Sequence, residues 1–160
     1  MDSTWLIATH AIAASVVLVL GPVNLLRRRR DAAHRALGRV WAAAILLTCA
    51  TSFGIHPHGF SWLHGLSVFT LVSVSAGVAA IRRGDVSAHR ANMAGCYLGT
   101  LIAFGFASLA PNRLIARMAV EEPVTLLGVV AVVLAGCALV LSVVLGPVGR
   151  RRAAPAVPTR

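Results

Sequence analysis

Five stretches of mainly apolar residues divide this chain: Trp5 to Leu26, His34 to Ile55, Ser61 to Ile81, His89 to Ala110, and Pro123 to Pro147. Each holds roughly 20 residues, and at 1.5 Å rise per residue that crosses a bilayer core about 30 Å thick. In hydrocarbon every backbone amide needs an internal partner, so a spanning chain is either a helix or a closed barrel. None of the five alternates polar and apolar residues as a barrel strand does. The expected fold class is therefore all-α: an integral membrane helical bundle with a four-helix core and a fifth transmembrane helix.

Composition bears this out, with 58% apolar and 12% charged residues, against roughly 45–50% and 25% in soluble domains. The formal net charge of +10 rests on 15 basic residues, all arginine, against Asp2, Asp31, Asp85, Glu121 and Glu122. Such a charge would suit nucleic acid if it lay on one face. It lies instead in short runs between apolar segments, where topology signals belong, so the expected partner is the lipid bilayer and not nucleic acid.

Arginines set the expected orientation. Arg27 to Arg30, Arg35, Arg39, Arg82, Arg83, Arg90, Arg150 to Arg152 and Arg160 follow the odd-numbered helices, whereas Arg113 and Arg117 lie on the other side. The rich side faces the cytoplasm, which puts the N-terminus outside and the C-terminus inside a multi-pass protein of the cytoplasmic membrane. The first segment has Asp2 and no basic residues before it, so it reads as a retained helix and not a cleaved signal. Residues 1–152 form a single transmembrane domain, and residues 153–160 are expected to be a disordered tail. Cys49, Cys96 and Cys137 lie within apolar segments and read as packing residues.

Two echoes run through the chain. "RRRRDAAHRALGR" at Arg27 to Arg39 returns as "IRRGDVSAHRANMAG" at Ile81 to Gly95, and "VLVLGPVNLLRRRR" returns as "SVVLGPVGRRR". The second reads as a helix ending in Gly-Pro at the cytoplasmic interface. The first places His34 and His89 at the cytoplasmic starts of helices two and four. His10 and His64 sit near the outer ends of helices one and three. The four histidines thus form two layers, each on diagonal helices of an antiparallel bundle and roughly 25 Å apart by helical rise.

Two imidazoles facing each other across a bundle are what a b-type haem needs, and an ionisable residue inside a membrane is by default functional. The expected cofactor is haem b, with His10, His64, His34 and His89 as iron ligands. Arg35, Arg39 and Arg83, with Arg90, would pair with propionates. A quinol or another redox partner would supply electrons, and a homo-oligomer is compatible with the sequence. Each histidine also has a plainer reading, since the rings of His34 and His89 could pair with Asp31 and Asp85. The alternative function is a non-enzymatic membrane protein, a partner subunit or a small permease, whose His-Arg-Asp clusters are structural.

Three further features are weaker. His56 and His58 in "GIHPHGFSW" lack a third metal ligand. Met93 is a conceivable axial alternative to His89. "APNRLIARMAVEEP" reads as a short interfacial helix. No nucleophile constellation or phosphate loop is present, which leaves enzymatic activity open.

The run from His10 through "LGPVNLL", "HRALGRVW" and "RRGDVSAHRANM" to "LAPNRLIARM" resembles a bacterial family of predicted membrane proteins, domain of unknown function 2306. That resemblance covers His10 to Met118 and implies a membrane fold without an established activity, with the fifth helix an addition to the core. In layout alone the chain is similar to di-haem cytochromes of the b561 type. This implies pairing of His10 with His64 and of His34 with His89, and transmembrane electron transfer.

Overall fold

The computed structural model describes residues 4–55, 59–109 and 114–146; the tail, His56 and His58 lie outside them. Among the described residues there are six helices and no strand: α1 (Thr4–Leu26), α2 (Ala32–Ser52), α3 (Trp62–Arg82), α4 (Val86–Leu109), α5 (Leu114–Glu121) and α6 (Pro123–Leu145). The protein is an all-helical membrane bundle.

Helices α1, α3, α4 and α6 are long and apolar enough to cross a membrane. The expected second span is the exception. Helix α2 matches the others in length, but its first two turns carry His34, Arg35 and Arg39, which dilute its hydropathy. Protein compensates for this dilution. Leu37, Trp41, Ile45 and Cys49 recur every four residues and form one buried stripe, and α2 is packed by α1, α3 and α6. Four-residue spacing keeps side chains on one helical face.

The main contacts run α1 to α2, α2 to α3, α3 to α4 and α4 back to α1. Helices α1 and α3 are therefore diagonal, as are α2 and α4. Helix α6 packs against α1 and α2 and keeps most of its surface for lipid, with Cys137 its buried residue. The expected short helix exists as α5, which joins α4 to α6 and carries an exposed Arg117–Glu121 ion pair at 3.2 Å.

The two Gly-Pro echoes behave differently. Helix α6 ends at Leu145, and the Gly146 amide closes back on the Ser142 carbonyl, as expected. Helix α1 instead continues through Gly21 and Pro22 to Leu26. Pro22 has no N–H, so the Leu18 carbonyl four residues earlier loses its helical donor. The Tyr97 hydroxyl of α4 donates to that carbonyl at 3.2 Å, and the Trp41 Nε1–H of α2 donates to the adjacent Val17 carbonyl at 3.1 Å. Gly21 makes the room: a Cβ there would lie 2.5 Å from the Tyr97 ring and 3.1 Å from Trp41 Nε1. These bonds tie three helices together at the core formed by Val17, Leu20, Trp41, Ile45, Val74 and Cys96.

The histidine echo has a counterpart at this depth. Trp41 lies seven residues beyond His34 and donates across its hairpin to α1; Cys96 lies seven beyond His89, and its thiol donates to the Thr70 carbonyl of α3 at 3.6 Å. The hairpins α1–α2 and α3–α4 thus repeat one cross-helix bond at equivalent places.

Gly21→Ala is expected to destabilise the bundle by roughly 1–3 kcal/mol through overpacking. Tyr97→Phe should cost about 1 kcal/mol through the orphaned carbonyl. Because both changes touch one contact, the double variant should fall short of their sum in denaturant titrations of the detergent-solubilised protein.

Candidate functional site

The arginine echo is first a capping device. Asp31 Oδ1 accepts from the His34 backbone N–H at 3.0 Å, and Asp85 Oδ1 accepts from the Ala88 backbone N–H at 2.9 Å. Each aspartate satisfies one of the amides that open a helix and places a carboxylate at its positive end. Helices α2 and α4 therefore start before their histidines, at Ala32 and Val86. The aspartates meet backbone amides rather than the imidazoles.

One residue of offset separates the two copies. His34 is the third residue after its cap and His89 the fourth, and one residue turns a helix by about 100°. The His89 ring accordingly faces α3, where Nδ1 is 2.9 Å from the Gly77 carbonyl oxygen. A carbonyl only accepts, so Nδ1 carries the proton and the Nε2 lone pair is left over. Gly77 allows the close approach, since a Cβ there would meet the Met93 methyl and come within 3.0 Å of Asn92 Cβ. Met93 is thus packed into the α3–α4 contact. The His34 ring turns toward Arg30, whose Nη1 lies 3.4 Å from His34 Nδ1. His34 and His89 lie at the same end of the bundle, near the starts of α2 and α4.

The remaining two rings meet the far end of α2 from either side. His10 Nδ1 lies 3.0 Å from the Thr48 carbonyl oxygen and 3.1 Å from Thr51 Oγ1. The carbonyl again demands a proton on Nδ1 and frees Nε2. His64 is in the opposite state. Its Nδ1 is 3.0 Å from the Ser61 backbone N–H, which can only donate, and the two residues form a capping box at the start of α3. The neutral ring then carries its proton on Nε2, which is buried and has no hydrogen-bond partner. His64 is 6% exposed, between the rings of Phe60 at 4.8 Å and Phe53 at 6.0 Å.

A metal-ligating histidine normally donates its second nitrogen to a carbonyl or carboxylate, which fixes the tautomer. His10 and His89 have that state. His34 reaches it by giving up one long contact to Arg30, whereas His64 reaches it only by giving up its bond to the Ser61 amide.

Arg35, Arg39 and Arg83 are exposed at the arginine-rich end, as is Arg90. The arginine that turns inward is Arg27, which the sequence did not single out from its run. Its Nη2 donates to Asp31 Oδ2 at 2.8 Å, while its buried Nε has no partner; nearby in α1, the Asn24 Oδ1 is likewise buried without one. Among the described residues no three His, Cys, Asp or Glu side chains gather into a metal-binding group. The loop histidines His56 and His58 lie outside those residues.

Fold and site together define a helical membrane protein with histidines near both ends of a four-helix core. The chain belongs to the family described as predicted membrane protein (DUF2306), whose model matches residues 7–148. That match reaches past Met118 and takes in α6, so the last helix is part of the family's domain. No curated protein and no solved structure matches the chain.

The Arg27 guanidinium and the His34 amide hold the Asp31 carboxyl down at about 2, from 3.8. A depressed carboxyl contributes stability that is complete above its unfolded value and lost as pH falls toward the folded one. The Asp31 carboxyl resonance should therefore titrate below pH 3.8 in carbon-detected NMR. In Arg27→Gln it should move back toward that value.

Proposed function

We propose that this protein binds haem b in the cytoplasmic membrane and carries electrons through its bundle, with the iron site between His34 and His89. The observation that carries the reading is the His89 ring, locked by the Gly77 carbonyl with Nε2 free, at the same end of the bundle as His34. The unpaired Nε of Arg27 supports it further, as a buried guanidinium donor suited to a propionate. Arg35, Arg39 and Arg83 would act from the exposed rim.

Bound haem would supply a one-electron couple tuned by its axial ligands and burial. The chain's own contribution is to hold the His89 imidazole at a fixed orientation, with His34 at the same end of the bundle. Gly77 and Gly38 keep side chains out of the approach between helices, and the packed core around Trp41 and Tyr97 excludes water from the path between the two ends. At the far end His10 is poised in the same way, while ligation by His64 would cost its helix cap. The proposal is for that reason confined to a single haem between His34 and His89.

The alternative is a non-enzymatic membrane protein whose histidines are structural. It is favoured by the engagement of the Nδ1 atoms of His10, His64 and His89 in bonds that fasten helices or caps.

Absorption spectroscopy of protein purified from haem-replete cells separates the two readings. The haem reading expects a Soret band that shifts on dithionite reduction and is lost in His89→Ala and His34→Ala. A colourless wild-type protein would leave the structural reading in possession.

A further inference from the structure

At the end of the bundle away from the arginines, two buried polar atoms among the described residues have no hydrogen-bond partner, Ser108 Oγ and the imidazole nitrogen His64 Nε2. The Nδ1 of His64 accepts the Ser61 amide and thereby completes the cap of α3. That bond forces the proton of the neutral ring onto Nε2, on the far side of the imidazole from the cap. Nε2 is buried, lacks any hydrogen-bond partner, and belongs to a residue that is 6% exposed. Leaving such a donor unmet is costly, and it is unusual enough to call for an absent acceptor.

The surroundings restrict what that acceptor can be. Phe60 and Phe53 lie beside the ring, with centroids 4.8 and 6.0 Å away and planes inclined to it at 50° and 35°. Phe60 is 77% exposed, so one of the two rings beside His64 reaches the surface of the membrane bundle. A site with one N–H donor behind aromatic walls suits a flat, apolar molecule with a carbonyl at its edge.

We propose that His64, Phe53 and Phe60 form a binding site for the head group of a lipid-soluble quinone, with the His64 Nε2–H donating to a quinone carbonyl. A flat ring can lie against both phenylalanines, and its apolar tail can follow the exposed faces of α3 and α4 into the bilayer. The ester carbonyl of a phospholipid offers the same acceptor but no ring for the aromatic walls. The site does not rest on the haem reading, because it uses the capped tautomer of His64 and needs no iron.

The test is titration of the protein in nanodiscs with a short-tailed benzoquinone, followed by calorimetry. Wild type should bind saturably, and His64→Phe, which keeps the ring bulk and loses the donor, should bind about tenfold more weakly. His64→Gln should stay within about threefold of wild type, since its carbonyl can take the Ser61 amide in a capping box while its NH2 still donates. Equal affinity for wild type and His64→Phe, or no binding by wild type, overturns the proposal. Should His64→Phe fail to fold, 15N NMR of wild type decides, because the Nε2–H resonance of His64 must move on quinone addition. If that resonance differs between ester-linked and ether-linked lipid discs and ignores quinone, the acceptor is bilayer lipid and the quinone site is refuted. A Soret band retained by His64→Phe while quinone affinity falls would separate this site from the haem at His34 and His89.

Discussion

The Leu18 carbonyl, deprived of its amide by Pro22, is the point on which this bundle turns. A bare carbonyl in hydrocarbon is costly, so a donor has to come from another helix. Tyr97 supplies it from α4, and Trp41 reaches the neighbouring Val17 carbonyl from α2. Both rings fit because Gly21 has no side chain to oppose them. In lipid, apolar burial distinguishes poorly between one helix pairing and another, so close packing at small residues and a few such bonds decide the arrangement. One defect in α1 thereby selects its two neighbours and fixes the diagonals of the core.

The same economy appears at both ends of the core. Each histidine among the described residues meets a hydrogen-bonding group of known polarity, and that polarity sets its tautomer. Carbonyls at Thr48 and Gly77 leave His10 and His89 with a free Nε2 lone pair, while the Ser61 amide leaves His64 with an Nε2–H. Rings that look interchangeable in the sequence are thus chemically opposite, His10 and His89 with a lone pair free on Nε2 and His64 with an N–H there. The fastening bonds and the functional possibilities are one set of contacts, since orienting an imidazole is also what makes it useful.

Much of the architecture was legible because it depends on length and hydropathy alone. Segment lengths near 20 residues gave the helices, and His10, His64, His34 and His89 could be sorted into two ends by counting along them. The sequence also marked Asp31 and Asp85 as partners of the histidine motifs, though it assigned them to the rings and not to the backbone amides. Helix α2 was expected as an ordinary span, yet Arg35 and Arg39 dilute its hydropathy and neighbouring helices cover its buried stripe instead. Arg27 stood undistinguished in a run of four because only the turn between α1 and α2 decides which guanidinium folds inward. Gly21-Pro22 looked like a helix end, and its role as a joint depends on Trp41 and Tyr97, which lie far along the chain.

The sequence by itself determined a helical membrane protein, its helix positions and the ends at which its histidines fall, because these follow from rise per residue and the hydrocarbon thickness. Only the tertiary structure decided which nitrogen of each ring is free. That choice rests on whether a carbonyl or an amide of another segment lies opposite, and a one-residue offset after a cap turns a ring by about 100°. Helical periodicity is written in the chain, but the polarity of what a side chain meets across a helix interface is settled by packing.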